Sequence, residues 1–124
     1  MATGLENLRI YQIAKKLEIE VYEITKNFPR DEKFRSVDQL RRSSSAVTNN
    51  IAEAYNKQSL KDKIHILRDT AISEAEETRS NLLRCGEKEF SNYDTLVDIA
   101  ERYTGLMKAI NGYIRFLKTS KLKN

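Results

Sequence analysis

Six basic side chains, Arg41, Arg42, Lys57, Lys61, Lys63 and Arg68, fall within one stretch of 28 positions. Guanidinium and ammonium groups suit phosphate oxygens, and such contacts hold a nucleic-acid backbone in place without reading its bases. Lys15 and Lys16 add two cations nearer the start of the chain. Acidic residues are interleaved with all of these, and no aromatic stacking platform accompanies them. Singly, each is a surface cation. Repeated around an oligomer, weak patches of this kind add up.

Other side chains of reactive type point away from catalysis. Glu74, Glu76 and Glu77 crowd one segment, but they have no evident acid–base partner and read as a solvated or salt-bridged face, with Glu76 a structural polar group. His65 is the sole histidine and Cys85 the sole cysteine, so neither a thiolate–imidazole zinc site nor a Glu-x-x-His carboxylate site can be assembled. Cys85 reads as a small buried hydrophobe. Ser43, Ser44 and Ser45 lack a nucleophile motif and instead suit close helix packing. No glycine belongs to a phosphate-cradling loop. No enzyme, cofactor, metal or small-molecule substrate is therefore expected.

Composition bounds the rest. A chain of 124 residues makes one domain with an ordinary core. One proline, four glycines and 32% charged residues favour helices over sheets. A single cysteine excludes an intrachain disulfide and suits a reducing cytoplasm. Nothing approaches the run of about 18 apolar residues that a membrane span needs, and the first residues carry no apolar signal core. The net charge of +4 permits contact with nucleic acid without demanding it.

The cations are positioned by helices. Val37, Leu40, Ser44, Val47, Ile51 and Ala54 recur at steps of three and four, the seam of a bundle, while Arg42, Ala46, Asn49 and Glu53 fall on the opposite face. Before it, Ile10, Ala14, Leu17, Val21, Ile24 and Phe28 form a seam that Pro29 stops, and Thr3 with Glu6 reads as its capping box. Ser36 with Gln39 predicts a capping box for the second helix. Ser59 to Asp62 opens a third, with a seam of Leu60, Ile64, Leu67, Ala71, Ala75, Thr78 and Leu82 and Gly86 as left-handed C-terminal cap. Ser91 and Asp94 open a fourth, with a seam of Tyr93, Leu96, Ala100, Tyr103, Met107, Ile110, Ile114 and Leu117. The spacing predicts helices over about 5–28, 35–57, 60–85 and 92–118, then a frayed basic tail over 119–124. Loops this short join antiparallel neighbours, so the expected fold is an all-α, up-down-up-down four-helix bundle.

Two helices carry a second apolar set. On the first these are Leu8, Tyr11, Ile19 and Tyr22; on the last, Gly105, Ala109, Gly112 and Phe116, with the two glycines suggesting close backbone approach. A monomer needs one buried stripe, so these eight residues are the expected subunit interface.

Leu8-Arg9-Ile10-Tyr11 with Ala14, Phe28-Pro29, Gln39-Leu40-Arg41-Arg42-Ser43, Asn50-Ile51-Ala52-Glu53 and the segment around Glu76 occur in an order that resembles the bacterial four-helix-bundle family encoded within intervening sequences of 23S ribosomal RNA genes. The chain departs from that pattern at Thr48, where the family typically has proline, and at Ala54, where it has glycine. Losing both predicts a straighter, longer second helix. The resemblance implies a homo-oligomer, commonly a pentameric ring. Similar pentameric bundles act as accessory nucleic-acid-binding proteins in diversity-generating retroelements.

Two readings follow. In the first, a non-enzymatic oligomeric bundle binds structured RNA, ribosomal or other, through repeated basic patches. In the second, Arg41, Arg42, Asn50 and Glu53 hold helices or subunits together, and the assembly is a protein-interaction scaffold without a nucleic-acid ligand.

Overall fold

The computed structural model describes residues 4–123. Its helices are α1 (Arg9–Thr25), α2 (Asp38–Asn56), α3 (Leu60–Ile66), α4 (Ile72–Glu87) and α5 (Tyr93–Lys123). A 3-10 turn, Arg30–Glu32, and a π turn, Lys33–Val37, run into α2 without a break. A second π turn, Leu67–Ala71, joins α3 to α4. Four rods result, and the fold is the all-α four-helix arrangement expected from the periodicity.

Contacts along the chain fix the register. The hydroxyl of Thr25 and the carbonyl of Tyr22 accept from Arg41, while Gly4 lies against Tyr55, so the first two rods run antiparallel. Ser43 meets Thr78 and Lys63 meets Tyr55, which reverses the third rod against the second. Tyr93 packs on Gly86, and Glu20 pairs with Arg102, closing the fourth rod on the third and the first. The seam of α2 is inside: Leu40, Val47 and Ile51 are wholly buried, and Ser43 and Ser44 are buried with them. Small hydroxyls at this level let α2 and α4 approach closely, with Ser43 Oγ 2.7 Å from Thr78 Oγ1. The helix α2 passes Thr48 and Ala54 without interruption.

Helix ends depart from expectation more than helix middles do. Thr3 of the first capping box lies outside the described residues; residues 4–7 form a turn, and α1 starts only at Arg9, with Leu8 supplying no side-chain cap. Ser36 caps nothing, because the rod is already helical from Arg30; its hydroxyl donates to Glu32 at 2.7 Å. Ser59 does cap α3, accepting from the Asp62 amide at 3.0 Å. Asn92, rather than Ser91, caps α5 by accepting from the Thr95 amide at 2.9 Å. Past residue 118, α5 continues to Lys123.

Gly86 is not a left-handed cap; it sits inside α4, where an added Cβ would lie 3.2 Å from Tyr93 Cδ1. Its value is close approach to α5. The left-handed position falls to Glu89, φ 59°. There the amides of Glu89 and Phe90 donate to the carbonyls of Gly86 and Cys85, at 3.0 and 3.1 Å, and close the end of α4. A side chain in this region costs roughly 1–2 kcal/mol. Glu89→Gly is therefore expected to raise unfolding stability by about 0.5–1 kcal/mol in urea titrations, after the added flexibility of the unfolded chain is discounted. No gain would mean that the Glu89 side chain makes an offsetting contribution.

Candidate nucleic-acid interface

The six cations do not share one surface. Arg41 and Arg42 are about 24 Å along the rod from Lys57, at 1.5 Å per residue. Arg41 is half-buried and turned towards α1. Its Nε donates to Thr25 Oγ1 at 2.9 Å and its Nη2 to the Tyr22 carbonyl at 3.3 Å, with the guanidinium 4.3 Å from the centroid of the Tyr22 ring. Since α1 has no basic residue in its own last turn, Arg41 supplies the cation that its carbonyl end favours. Arg42 turns the other way, to Glu74 at 3.0 Å and to Glu77 of α4, with Gln39 at 3.3 Å. Its hydrogen bond to Glu74, then the charge of Glu77, hold its proton above the ordinary arginine range.

Lys63 repeats what Arg41 does. Its ammonium donates to the carbonyls of Tyr55 and Ala54, at 2.8 and 3.4 Å, closing an α2 that also lacks a basic last turn. Lys57, just past the end of α2, stands 3.9 Å from Glu53 of that helix. Lys61 and Arg68 are exposed and line one open groove with His65, Asp62 and Asp69. His65 Nδ1 lies 2.7 Å from Asp69, and its side chain is largely in solvent. Of the first-helix pair, Lys15 sits 5.6 Å from the Tyr11 ring centroid, and Lys16 lines the cleft between α1 and α5.

The polar groups on the same helices also separate. Glu53 is exposed and bonds within α2 rather than across helices, and Asn50 is half-buried. Glu76 takes both prongs of Arg79, at 2.7 and 2.8 Å, which depresses its carboxyl pKa. The glutamate segment is thus salt-bridged. Cys85 is buried, and that burial pushes its thiol pKa up, away from nucleophile chemistry. Among the described residues no three His, Cys, Asp or Glu side chains gather as metal ligands, and no helix is long and apolar enough to cross a membrane.

The eight residues of the expected subunit interface differ in exposure within the chain. Ile19, Tyr22 and Phe116 are exposed, as is Gly105, whereas Leu8, Tyr11, Ala109 and Gly112 are half-buried. Tyr22 faces Arg41 of α2, while Gly105 and Ala109 line a cleft with Ile13 and Lys16 of α1. No neighbour approaches closely: a Cβ on Gly105 would meet nothing within 4 Å, and one on Gly112 only Arg115 Nη2 at 3.7 Å.

Two features escaped the sequence reading. One is the pairing of Arg102 with both oxygens of Glu20 across α1 and α5, reinforced by Asp98 at 3.0 Å; only the Asp98–Arg102 spacing of four was legible in advance. The other is a cleft at the turn between the first two rods, lined by Thr25, Lys26, Phe28, Arg30, Lys33 and Arg41 among others, with a volume of about 370 Å³.

The sequence model of the 23S rRNA-intervening sequence protein family matches residues 6–112. A crystal structure of a protein of unknown function from the S23 ribosomal protein family of Bacteroides thetaiotaomicron VPI-5482 superposes with a TM-score of 0.74. It is 24% identical in sequence, over 85% of this chain and 97% of that one, so it attests the fold alone. No functionally curated protein matches the chain. With the match extending from the turn before α1 to the middle of α5, the chain belongs to the 23S rRNA-intervening sequence protein family.

Proposed function

We propose that this protein is a non-enzymatic, homo-oligomeric bundle of the reducing cytoplasm that binds structured RNA through phosphate contacts repeated around the assembly. The observation that carries the reading is how charge is distributed. Glu20, Glu74, Glu76 and Glu77 are neutralised by arginines of the same chain, whereas Lys61 and Arg68 have no ion pair among the described residues and share one exposed groove. Asp62 and Asp69 line the same groove, so the attraction for a polyanion comes from the chain's overall excess of four positive charges rather than from that groove alone. Arg41, Arg42 and Lys63 contribute to that field while serving the bundle. Exposed Ile19 and Phe116 and the uncrowded Gly105 support a face covered by further copies, and a pentameric ring would present five grooves.

Fluorescence anisotropy with a labelled ribosomal RNA hairpin tests the reading. Lys61→Ala/Arg68→Ala is expected to weaken binding about 10-fold and to lower the salt slope by about 1.5, with the fold intact. Light scattering is expected to give several times the 14.4 kDa chain mass. A second reading, a protein-interaction scaffold, is supported by the intrachain bonds of Arg41 and Arg42. It takes over when binding is absent at near-physiological salt.

A further inference from the structure

We propose that the cleft at the turn between the first two rods takes an unpaired stretch of nucleic acid, with phosphates on Arg30, Lys33, Lys26 and Arg41 and a base on Phe34. The inference rests on nucleic acid being the ligand and names a site distinct from the Lys61–Arg68 groove.

Charge comes first. Four cations line the cleft and no carboxylate does. The groove of Lys61 and Arg68 contains Asp62 and Asp69, and the α1–α5 clefts contain Glu101 or Glu20 and Glu23. Carboxylates do stand near the cleft: Glu32 takes the Ser36 hydroxyl at 2.7 Å, exposed Asp31 follows Arg30, and Glu23 lies 3.3 Å from Lys26, which is thereby shared with it; none of the three lines the cavity. Arg30 and Lys33 have no ion pair among the described residues. Arg41 spends Nε and Nη2 on α1, which fixes its plane and leaves Nη1 for a phosphate oxygen.

The second observation is an exposed aromatic ring on the residue after Lys33, which itself lines the cleft. Phe34 is 84% exposed, the most exposed large apolar side chain among the described residues, and the Lys33 ammonium stands 5.4 Å from its centroid. Its backbone belongs to the π turn Lys33–Val37, continuous with α2, so the ring is presented from a folded element. Lys33 and Arg35 flank Phe34 in sequence. An unpaired strand alternates phosphates with bases, and a base stacked on a ring gains sequence-tolerant affinity. A duplex keeps its base faces stacked inside and offers the ring nothing. A second copy of this chain, itself net positive, suits such a cleft less well.

The test compares a fluorescein-labelled single-stranded uridine 12-mer with a blunt RNA duplex of equal length, at near-physiological salt. Wild type is expected to prefer the single strand. Phe34→Ala is expected to weaken the single strand about 10-fold and leave the duplex unchanged, and Phe34→Tyr to keep wild-type affinity. Arg30→Ala/Lys33→Ala is expected to weaken both. All three positions are exposed, so the variants fold. An unchanged single-strand affinity in Phe34→Ala overturns the inference, as does a Phe34→Ala protein whose assembly mass falls while its affinity holds. Loss of RNA binding in Lys61→Ala/Arg68→Ala alone would leave the broader reading standing and remove this cleft. Binding of neither probe by wild type would remove both.

Discussion

Replacing Tyr103 by alanine is expected to lower unfolding stability by about 3–5 kcal/mol, whereas phenylalanine at the same position raises it by about 1 kcal/mol. Tyr103 heads the large side chains that are wholly buried, on the inward side of α5 that also buries Ala100, Leu106 and Ile110. Alanine removes the ring and leaves a cavity. The hydroxyl tells the opposite story, because it is buried with no hydrogen-bond partner. Burial, and after it the charges of Glu18 and Glu20, push its phenol pKa far above the ordinary value near 10. A group whose folded pKa is raised contributes stability that is complete below the unfolded pKa and is lost as pH climbs past it. Urea titrations at pH 7 and pH 11 read both effects: the phenylalanine variant should gain more at the higher pH. Lower stability for phenylalanine at pH 7 would show that the hydroxyl has a partner, such as an enclosed water.

Arg102→Met should cost about 1–2 kcal/mol at neutral pH. The guanidinium takes both oxygens of Glu20 and one of Asp98, joining α1 to α5 where their exposed faces meet. Both partners are about a third exposed, so solvent screening trims the pair below a fully buried one. The hydrogen bond from Arg102 is the main cause holding the Glu20 carboxyl below its usual range, burial opposing it. A depressed carboxyl contributes stability that is present above the unfolded pKa and is lost as pH falls through the folded one. The gap between wild type and variant should thus be full at pH 7 and narrow progressively below about pH 4. A gap independent of pH would assign the loss to the packing of the arginine stem instead.

Inward faces were legible in the sequence because periodicity reports burial directly. Leu40, Ser44, Val47 and Ile51 repeat at helical spacing and are all interior. The ends were harder, since an end is decided by competing local bonds. A glycine six residues before the α5 cap looks like a terminator, yet Gly86 is needed where Tyr93 crosses, and the left-handed turn moved to Glu89. The π turns are nearly silent. Leu67, Ala71 and Ala75 are spaced four and four, one residue long for an α-helical stripe, and that is the mark left by the extra residue of Leu67–Ala71. The candidate site was legible only as a set of cations. Residue type names Arg41, Arg42 and Lys63 as possible phosphate ligands, but only geometry reveals that their heads are aimed at Thr25, Glu74 and Tyr55. Lys26, Arg30 and Lys33 stand close to Asp31 and Glu32 in sequence, and only the structure shows that neither carboxylate lines the cleft these cations share.

Arg41 on the end of α1 and Lys63 on the end of α2 have a consequence for how the molecule comes apart. Each of these two helices terminates on a cation that belongs to its successor, 16 residues on from Thr25 and eight on from Tyr55. Loosening the second rod therefore uncaps the first, and loosening the third uncaps the second.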